Sequence, residues 1–262
     1  MLPLTTLNPL VLVALAFAWL VPFPLVAAEL PDLIDRVRPA VVGVGTAYPP
    51  RQPNRKSAAV AYRGTAFIVG NGNQAITNAH VIPDKLDAEH NQMLVIFVGR
   101  GATAEARPVR VVRKDDQHDV ALLAFQGTPL PALALGDSGQ VREGMEVAFT
   151  GYPIGAVLGL YPVTHRGIVA AITPMARPME DARTLTPAQI RHLRNNQFDA
   201  FQLDAIAYPG NSGSPVYDTT TGKVIGVLNS VFVKESRETM LERPSGISYA
   251  IPANYIKRIL EP

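Results

Sequence analysis

The chain has 262 residues, of which 47% are hydrophobic and 18% charged, so it is long and apolar enough to bury a substantial core. This composition excludes intrinsic disorder and collagen-like repeats. The 24 basic and 22 acidic side chains leave a formal charge of +2, which argues against nucleic acid as the main partner. The chain has no cysteine, so disulfides, thiolate metal sites and a cysteine nucleophile are excluded as well.

The N-terminal segment, residues 1–28, contains no charged side chain, and residues 10–26 form an almost unbroken apolar run. Residues 26–28 then place small side chains where a signal peptidase cleaves. We therefore predict export, with residues 29–262 as a periplasmic or secreted protein. The alternative is a retained segment that anchors the protein to the membrane, because the leading Lys or Arg of a signal peptide is missing. Two prolines in the apolar run argue against a continuous spanning helix.

The next segment predicts a short amphipathic helix, because Leu30, Leu33, Ile34 and Val37 recur at helical spacing and Pro39 ends the pattern. Short apolar or alternating runs follow, separated by clusters of Gly, Pro, Asn and Asp. They indicate many short strands without the helices that join parallel strands, and hence an all-β sandwich or barrel. The predicted strands begin at Val41, Thr65, Met93, Val109, Val120, Val147, Gly167, Pro215 and Lys223.

Two longer stretches are predicted as loops. Residues 48–56 are polar and rich in proline. Residues 173–196 carry several arginines and a short predicted helix at 188–194, preceded by Thr and Pro in the order typical of a helix start. The two β-rich halves of the chain join near residues 129–136.

Residues 210–215, Gly-Asn-Ser-Gly-Ser-Pro, form the sharpest local string. Ser212 lies between glycines, where a tight turn leaves its hydroxyl unshielded, as an attacking serine requires. Such a turn also directs amides towards one point, and those of Gly210 and Ser212 are placed to hold an oxyanion. The alternative interpretation is an ordinary polar turn.

A serine hydroxyl needs a base to take its proton and a group to orient that base. His80 follows a strand-like segment and precedes an apolar pair that would anchor it. Asp119 stands at the start of an apolar strand, where burying a carboxylate is costly unless a donor such as an imidazole N–H pairs with it. His80 and Asp119 belong to the first β-rich half and Ser212 to the second, and together they form a candidate catalytic set.

Short strings throughout residues 29–262 extend this pattern. They lie at residues 64–68, 77–81, 119–123, 135–138, 141–144, 151–155, 163–164, 167–169, 203–205, 210–213 and 248–252. With these strings in this order, the chain resembles the protease domain of the HtrA (Deg) group of trypsin-like serine endopeptidases. The resemblance implies two packed six-stranded Greek-key barrels with short N- and C-terminal helices, barrel 1 at about 40–130 and barrel 2 at about 140–252.

The resemblance also implies roles for the candidate residues. Ser212 would be the nucleophile, His80 the general base and then the acid, and Asp119 the group that orients the imidazole. The N–H groups of Gly210 and Ser212 would form the oxyanion hole. We expect a serine endopeptidase that hydrolyses peptide bonds of unfolded or damaged envelope proteins through an acyl-enzyme, with no metal or cofactor. The alternative is a catalytically weak or silent peptide-binding, chaperone-like module of the same fold.

Three positions depart from related patterns. Asn211 replaces the Asp with which digestive members of the superfamily bind a newly cut N-terminus, so we predict that activation does not require N-terminal proteolysis. Ser214 stands where the family usually has Gly, and its side chain fits if the backbone φ is negative. The sequence stops at Pro262, so the PDZ domains common in HtrA proteins are not expected.

The substrate pocket is expected to have Ile206 at its floor and Asn229, Ser230 and Val231 on its later wall. None of these residues is acidic, so a preference for Lys or Arg lacks its counter-charge. We predict cleavage after Val, Ala or Leu. The first predicted helix carries the apolar stripe of Leu30, Leu33, Ile34 and Val37. Two roles remain open for this stripe, a contact in a homotrimer and a cap on the barrel of a monomer.

The remaining histidines are not expected to bind a metal. His90, His165 and His192 are read as lying in loop-like or polar contexts, without a paired carboxylate or a second His at ligand spacing. His118 adjoins Asp119, but neighbouring residues of a strand point to opposite faces, so His118 is expected outside the catalytic set.

Overall fold

The computed structural model describes residues 29–49, 60–153, 159–175, 198–229 and 247–261. These residues form two closed, six-stranded antiparallel barrels with a short helix at each end of the described chain. The predicted double β-barrel is therefore confirmed. The other residues include the N-terminal segment 1–28, most of the two predicted loops with the helix at 188–194, and His192, Ser230 and Val231, all of which lie outside the described part.

Barrel 1 closes in the order β1-β2-β3-β6-β5-β4. Its strands are β1 (Val41–Ala47), β2 (Val60–Val69), β3 (Gln74–Thr77), β4 (Met93–Val98), β5 (Glu105–Asp115) and β6 (Val120–Phe125). Strand β5 is much longer than its apolar run predicts, because most of its side chains face solvent and only backbone pairing with β4 and β6 defines it.

Barrel 2 closes in the order β10-β11-β12-β9-β8-β7. Its strands are β7 (Glu146–Gly151), β8 (Val163–Met175), β9 (Phe198–Asp204), β10 (Pro215–Asp218), β11 (Val224–Asn229) and β12 (Ile247–Pro252). Strands β9 and β12 were not predicted from their patterns, because their apolar positions are interrupted by polar ones. Burial on the barrel interior and pairing with each other decide their conformation.

Helix α1 (Leu30–Val37) is followed by a 3₁₀ turn at Arg38–Ala40. Its residues Leu33 and Val37 are buried against Tyr152 and Tyr217 of the same chain. The apolar stripe thus packs on its own protein, as a cap would. Assembly of a homotrimer stays a prediction.

The largest apolar cluster joins the two barrels. It combines Phe67 and Val120 of barrel 1 with Val227 of barrel 2 and Ile256 of helix α2 (Ala253–Leu260). Removing each of these fully buried side chains from water stabilises the folded protein by about 2 kcal/mol. The cluster therefore fixes the barrels relative to each other, and with them the cleft in which residues from both meet. Within the described ranges no helix is long and apolar enough to cross a membrane.

Candidate active site

His80 and Asp119 form a tight pair, although they lie 39 residues apart in the chain. His80 Nδ1 is 2.6 Å from Asp119 Oδ2, and the backbone N–H of His80 donates to Asp119 Oδ1 at 2.9 Å. A carboxylate that accepts from Nδ1 holds the imidazole in the tautomer whose Nε2 lone pair can take a proton. This geometry suits the roles predicted for His80 as base and Asp119 as its orienting acid, and the roles themselves stay predictions.

The backbone of Asp119 is held in an unusual conformation. Its φ is +53°, in the left-handed region that few residues other than glycine adopt. Two donors fix its carbonyl, Asn78 Nδ2 at 3.0 Å and the N–H of Ala79 at 3.2 Å. These contacts come from the segment that also carries His80, so the strained backbone of one partner is stabilised by the neighbours of the other.

Asn229 connects barrel 2 to this pair. Its side chain is only 1% exposed, and Nδ2 donates to Asp119 Oδ2 at 2.6 Å. The contact satisfies a buried carboxylate oxygen that already accepts from His80, which helps to offset the cost of burying it. Sequence reasoning placed Asn229 on the pocket wall, whereas in the structure it contacts the orienting acid. No sequence pattern indicates this contact, because it depends on where β11 ends.

Ser212 lies on a tight turn in which the next residue, Gly213, must be a glycine. Gly213 has φ +91°, and a Cβ there would overlap the carbonyl oxygen of Thr65. The Gly213 N–H donates to Leu228 O at 2.9 Å, and Leu228 N–H donates to Ser214 O at 2.9 Å. The turn is thereby bonded to β11, whose last residue, Asn229, contacts Asp119.

The segments that carry Ser212 and His80 meet at Gly64 on β2. A Cβ on Gly64 would lie 2.8 Å from a methyl group of Val81, the residue after His80, and 3.0 Å from Ser212 O. Close approach of the two segments thus requires glycine at this position. The structure thus brings the segment of the candidate base, which pairs with Asp119, close to the turn of the candidate nucleophile.

The residues before Ser212 form a β-turn. Asn211 N–H donates to Tyr208 O at 3.0 Å, Pro209 is second in the turn, and Gly210 is third with φ +99°. These features are those of a type II turn, which requires positive φ at its third residue. The N–H of Gly210 has no acceptor among the described residues. It is therefore a donor that a ligand oxygen can use.

Asn211 and Ser214 are both fully buried, and neither side chain has a hydrogen-bond partner in the described part of the chain. Both face Gly151, where a Cβ would overlap Ser214 Oγ. Ser214 is not among the described residues with positive φ, so its backbone tolerates a side chain, and Gly151 leaves the room for it. Asn211 has no charged partner here to replace the ion pair of digestive relatives.

Of the expected pocket residues, Ile206 is 37% exposed, which makes it one of the more exposed large apolar residues. It follows β9 and precedes the turn that carries Gly210. Ser230 and Val231 lie outside the described residues. The assignment of these residues to a substrate pocket stays a prediction.

The surroundings expected for His90 and His165 are wrong. For His118 only the reason is wrong, because it lies in a turn and not on a strand; its place outside the catalytic set stays a prediction. His90 does have a paired carboxylate, because its Nδ1 lies 2.8 Å from Asp87 Oδ2. His118 lies in the turn between β5 and β6, with Nδ1 2.6 Å from Asp115 Oδ2. His165 lies on β8 and stacks on Phe149 at 4.9 Å, and burial lowers its pKa. In the described ranges, no three His, Asp or Glu side chains cluster as a metal site would require.

A family model described as trypsin-like peptidase domain matches residues 64–227. The match covers more than half of the chain and contains the candidate base, acid and nucleophile. Together with the double barrel, it shows that the chain belongs to the trypsin-like peptidase family.

Curated relatives narrow the resemblance to HtrA serine proteases. The chain is 30% identical over 230 residues to serine protease HTRA1 of Xenopus tropicalis, covering 87% of this chain and 42% of the relative. It is 29% identical over 229 residues to serine protease HTRA3 of Homo sapiens, covering 87% of this chain and 44% of the relative. The chain thus spans less than half the length of these relatives.

Among solved structures, the chain is similar to the HtrA-type protease AlgW with a decapeptide. The TM-score is 0.62 at 22% sequence identity, and the alignment covers 89% of this chain and 66% of the other. This likeness shows the shared fold.

Proposed function

We propose that the protein is a serine endopeptidase in which Ser212 is the nucleophile, His80 the general base and Asp119 the orienting acid. The observation that carries the proposal is the buried Asp119 carboxylate. It accepts one hydrogen bond from His80 Nδ1 at 2.6 Å and another from Asn229 Nδ2 at 2.6 Å. A buried acid held by an imidazole from a distant segment, next to a serine turn flanked by glycines, is the arrangement that acyl transfer requires.

In the proposed reaction, Ser212 Oγ attacks the carbonyl carbon of a peptide bond while His80 Nε2 takes the hydroxyl proton. The carbonyl oxygen becomes an oxyanion, which the N–H groups of Gly210 and Ser212 stabilise. His80 then gives the proton to the leaving amine as the C–N bond breaks. A water molecule, deprotonated by His80, hydrolyses the acyl-enzyme and restores Ser212.

We propose polypeptides as substrates, cleaved after small or medium aliphatic residues and drawn from unfolded or damaged envelope proteins. The HtrA-type protease AlgW, which shares this fold, has been solved with a decapeptide, and this supports a peptide ligand here. Export to the periplasm or medium rests on the uncharged segment 1–28, with membrane anchoring as its alternative. Cleavage of a peptide library tests the predicted preference. Fastest cleavage after Arg would refute it.

A second candidate is a peptide-binding module that retains the cleft with little or no turnover. The two polar side-chain atoms of Asn211 and the hydroxyl of Ser214 are buried without a hydrogen-bond partner among the described residues, and each group left so costs about 1–3 kcal/mol. This cost lies directly beside the nucleophile, where it can favour another arrangement of the turn. The observation keeps the binding module as a testable competitor.

Covalent labelling by a fluorophosphonate separates the two candidates. The endopeptidase predicts a label on Ser212 that is absent in Ser212→Ala and reduced at least ~1,000-fold in rate in His80→Ala. Ser214→Ala is the matched control, since it removes a hydroxyl two residues away and should still be labelled. Folded protein that binds peptides but takes no label at Ser212 would establish the binding module instead.

Activation is proposed to be independent of a new N-terminus, because Asn211 has no charge with which to bind an ammonium group. Peptide cleavage by the exported chain and by N-terminally trimmed forms tests this point. Equal kcat is expected. Activity that begins only after trimming at one defined site would show that the N-terminus does activate the enzyme.

A further inference from the structure

The carbonyl of Gly210 accepts hydrogen bonds from two hydroxyl groups of strand β2. Thr65 Oγ1 lies 2.7 Å from Gly210 O, and Tyr62 OH lies 3.2 Å from the same oxygen. Strand β2 belongs to barrel 1, whereas the turn containing Gly210 leads into β10 of barrel 2. The two hydroxyls therefore hold the turn against the opposite barrel.

Thr65 also holds Ser212. Its N–H donates to Ser212 O at 2.8 Å, so a single residue binds the carbonyls of both residues whose amides we assign to the oxyanion hole. Thr65 is fully buried and is itself fixed on two sides. Its Oγ1 accepts from Tyr152 N–H at 3.0 Å, and its carbonyl accepts from Thr77 Oγ1 at 2.7 Å.

Tyr62 supplies the second hydroxyl from a packed ring. The ring lies 6.3 Å from that of Tyr152 and 6.5 Å from that of Phe97. Its hydroxyl is also 3.0 Å from Tyr152 O and 3.2 Å from Thr65 Oγ1, so its one proton is shared among these two oxygens and Gly210 O. Burial raises the pKa of the Tyr62 phenol, which keeps it protonated and hence a donor. The phenol thus bridges the segment after β7 and the turn before Ser212.

Oxyanion donors accelerate a reaction only if they are fixed before charge develops, because reorganisation during the reaction would cost what the hydrogen bonds gain. Gly210 has no Cβ to restrict it at its φ of +99°, and within its turn one hydrogen bond, from Asn211 N–H to Tyr208 O, spans it. Contacts from outside the turn therefore help to set its position relative to Ser212. The described contacts of the Gly210 carbonyl are those with Thr65 and Tyr62.

We propose that Tyr62 and Thr65 are positioning residues that hold the amides of Gly210 and Ser212 in the geometry that binds the oxyanion. They act through the carbonyls of these residues and do not touch the substrate. The inference rests on the proposed function, because it concerns the oxyanion hole of that same site.

Isosteric variants test the proposal. Tyr62→Phe removes one hydroxyl and keeps the packed ring, and Thr65→Val removes the other with little change in volume. Thr65→Ser keeps the hydroxyl and should rescue function. The matched control is Tyr217→Phe, because Tyr217 is also a buried tyrosine, and its hydroxyl bonds to Thr150 Oγ1 at 2.8 Å, away from the turn.

The measurements are kcat and KM for a peptide substrate and Ki for a peptide aldehyde, whose hemiacetal oxygen occupies the oxyanion position. For Tyr62→Phe we expect kcat to fall about 10-fold, KM to stay within about twofold and the aldehyde Ki to rise about 10-fold. For Thr65→Val the corresponding changes should be about 100-fold, and Thr65→Ser should stay within about threefold of the wild type. Tyr217→Phe should leave all three values within about twofold.

The result that overturns the proposal is a Tyr62→Phe enzyme whose kcat and aldehyde Ki match those of Tyr217→Phe, while wild-type Ser212 reacts with a fluorophosphonate. The proposed function would then stand without these positioning residues. Wild-type protein that neither cleaves peptides nor reacts would overturn both. The melting temperature of each variant shows whether it is folded. If Thr65→Val does not fold, Tyr62→Phe alone tests the proposal.

Discussion

Three histidine–aspartate pairs of this protein share one local geometry in three different settings. In each pair the histidine backbone N–H and its Nδ1 both bond to the same carboxylate. His118 and His90 each bind an aspartate three residues earlier, at Asp115 and Asp87. His80 binds Asp119, which is 39 residues later. The first two pairs are products of a turn, and the third exists only because the barrel folds.

The surroundings of the pairs differ more than their hydrogen bonds do. The His80 and Asp119 side chains are 22% and 6% exposed, and a second donor, Asn229, reaches the carboxylate. The His118 side chain is 13% exposed, stacks on the ring of Tyr255 at 4.2 Å and meets the ring of Phe198 edge-on at 5.3 Å. The His90 side chain is 49% exposed. The three pairs thus differ in burial and in their other partners, and only the pair of His80 and Asp119 is held by a side chain of barrel 2 through Asn229.

The largest expected effect comes from Asp119→Asn. The amide has nearly the same volume but favours the tautomer of His80 in which Nε2 carries the proton, so kcat should fall about 10⁴-fold. The matched control is Asp115→Asn in the second pair, which should keep kcat within about threefold. Peptide cleavage by both variants checks this, and equal losses of kcat would remove the distinction between the pairs.

His118→Ala should act on stability rather than on catalysis. It removes a ring that stacks on Tyr255 and meets Phe198 edge-on, and it leaves Asp115 without its partner, so the free energy of unfolding should fall by about 2 kcal/mol. Denaturant unfolding measures this change. We expect kcat to stay within about threefold, and a loss above 100-fold in folded protein would give this pair a part in the reaction.

His165 tests what happens to a half-buried histidine that has no carboxylate partner among the described residues. Burial lowers its pKa, so below about pH 6.5 the unfolded chain binds a proton that the folded protein does not yet bind. Stability should therefore fall as the pH drops through this range, until His165 is protonated in the folded protein too. In His165→Phe that part of the loss should be absent, as unfolding at pH 7.5 and pH 5.0 would reveal. An unchanged pH dependence would contradict the assignment.

The smallest effect is expected for His90→Ala. Its pair with Asp87 is exposed, where solvent screens the interaction. Neither kcat nor the melting temperature should change measurably. A clear drop in either would contradict this ranking of the three pairs.

Features of the fold and of the candidate site could be predicted from the sequence where neighbouring residues determine them. Features that depend on residues far apart in the chain could not. The glycines around Ser212 indicated a tight turn, and Asp119 at the start of an apolar strand indicated a buried acid that needs a donor. Both are local properties of a few residues. The pairing of His118 with Asp115 was missed, although an aspartate three residues before a histidine is a local signal for such a turn.

The contacts that no pattern predicted all cross between the barrels or between distant segments. Asn229 reaches Asp119 because β11 ends beside the turn between β5 and β6. Tyr62 and Thr65 reach Gly210 because β2 of barrel 1 faces the turn before β10. Their residue types carry no signal, since a tyrosine and a threonine on a strand are ordinary.

By itself, the sequence determined the alternation of short strands and turns, the tight serine turn and the kinds of side chain present. The tertiary structure decided which carboxylate meets which imidazole and which hydroxyls hold the Gly210 carbonyl. The reason is physical. Turn conformation depends on the φ preferences and side chains of neighbouring residues, whereas contacts over tens of residues depend on strand register and on the burial that packs the two barrels together.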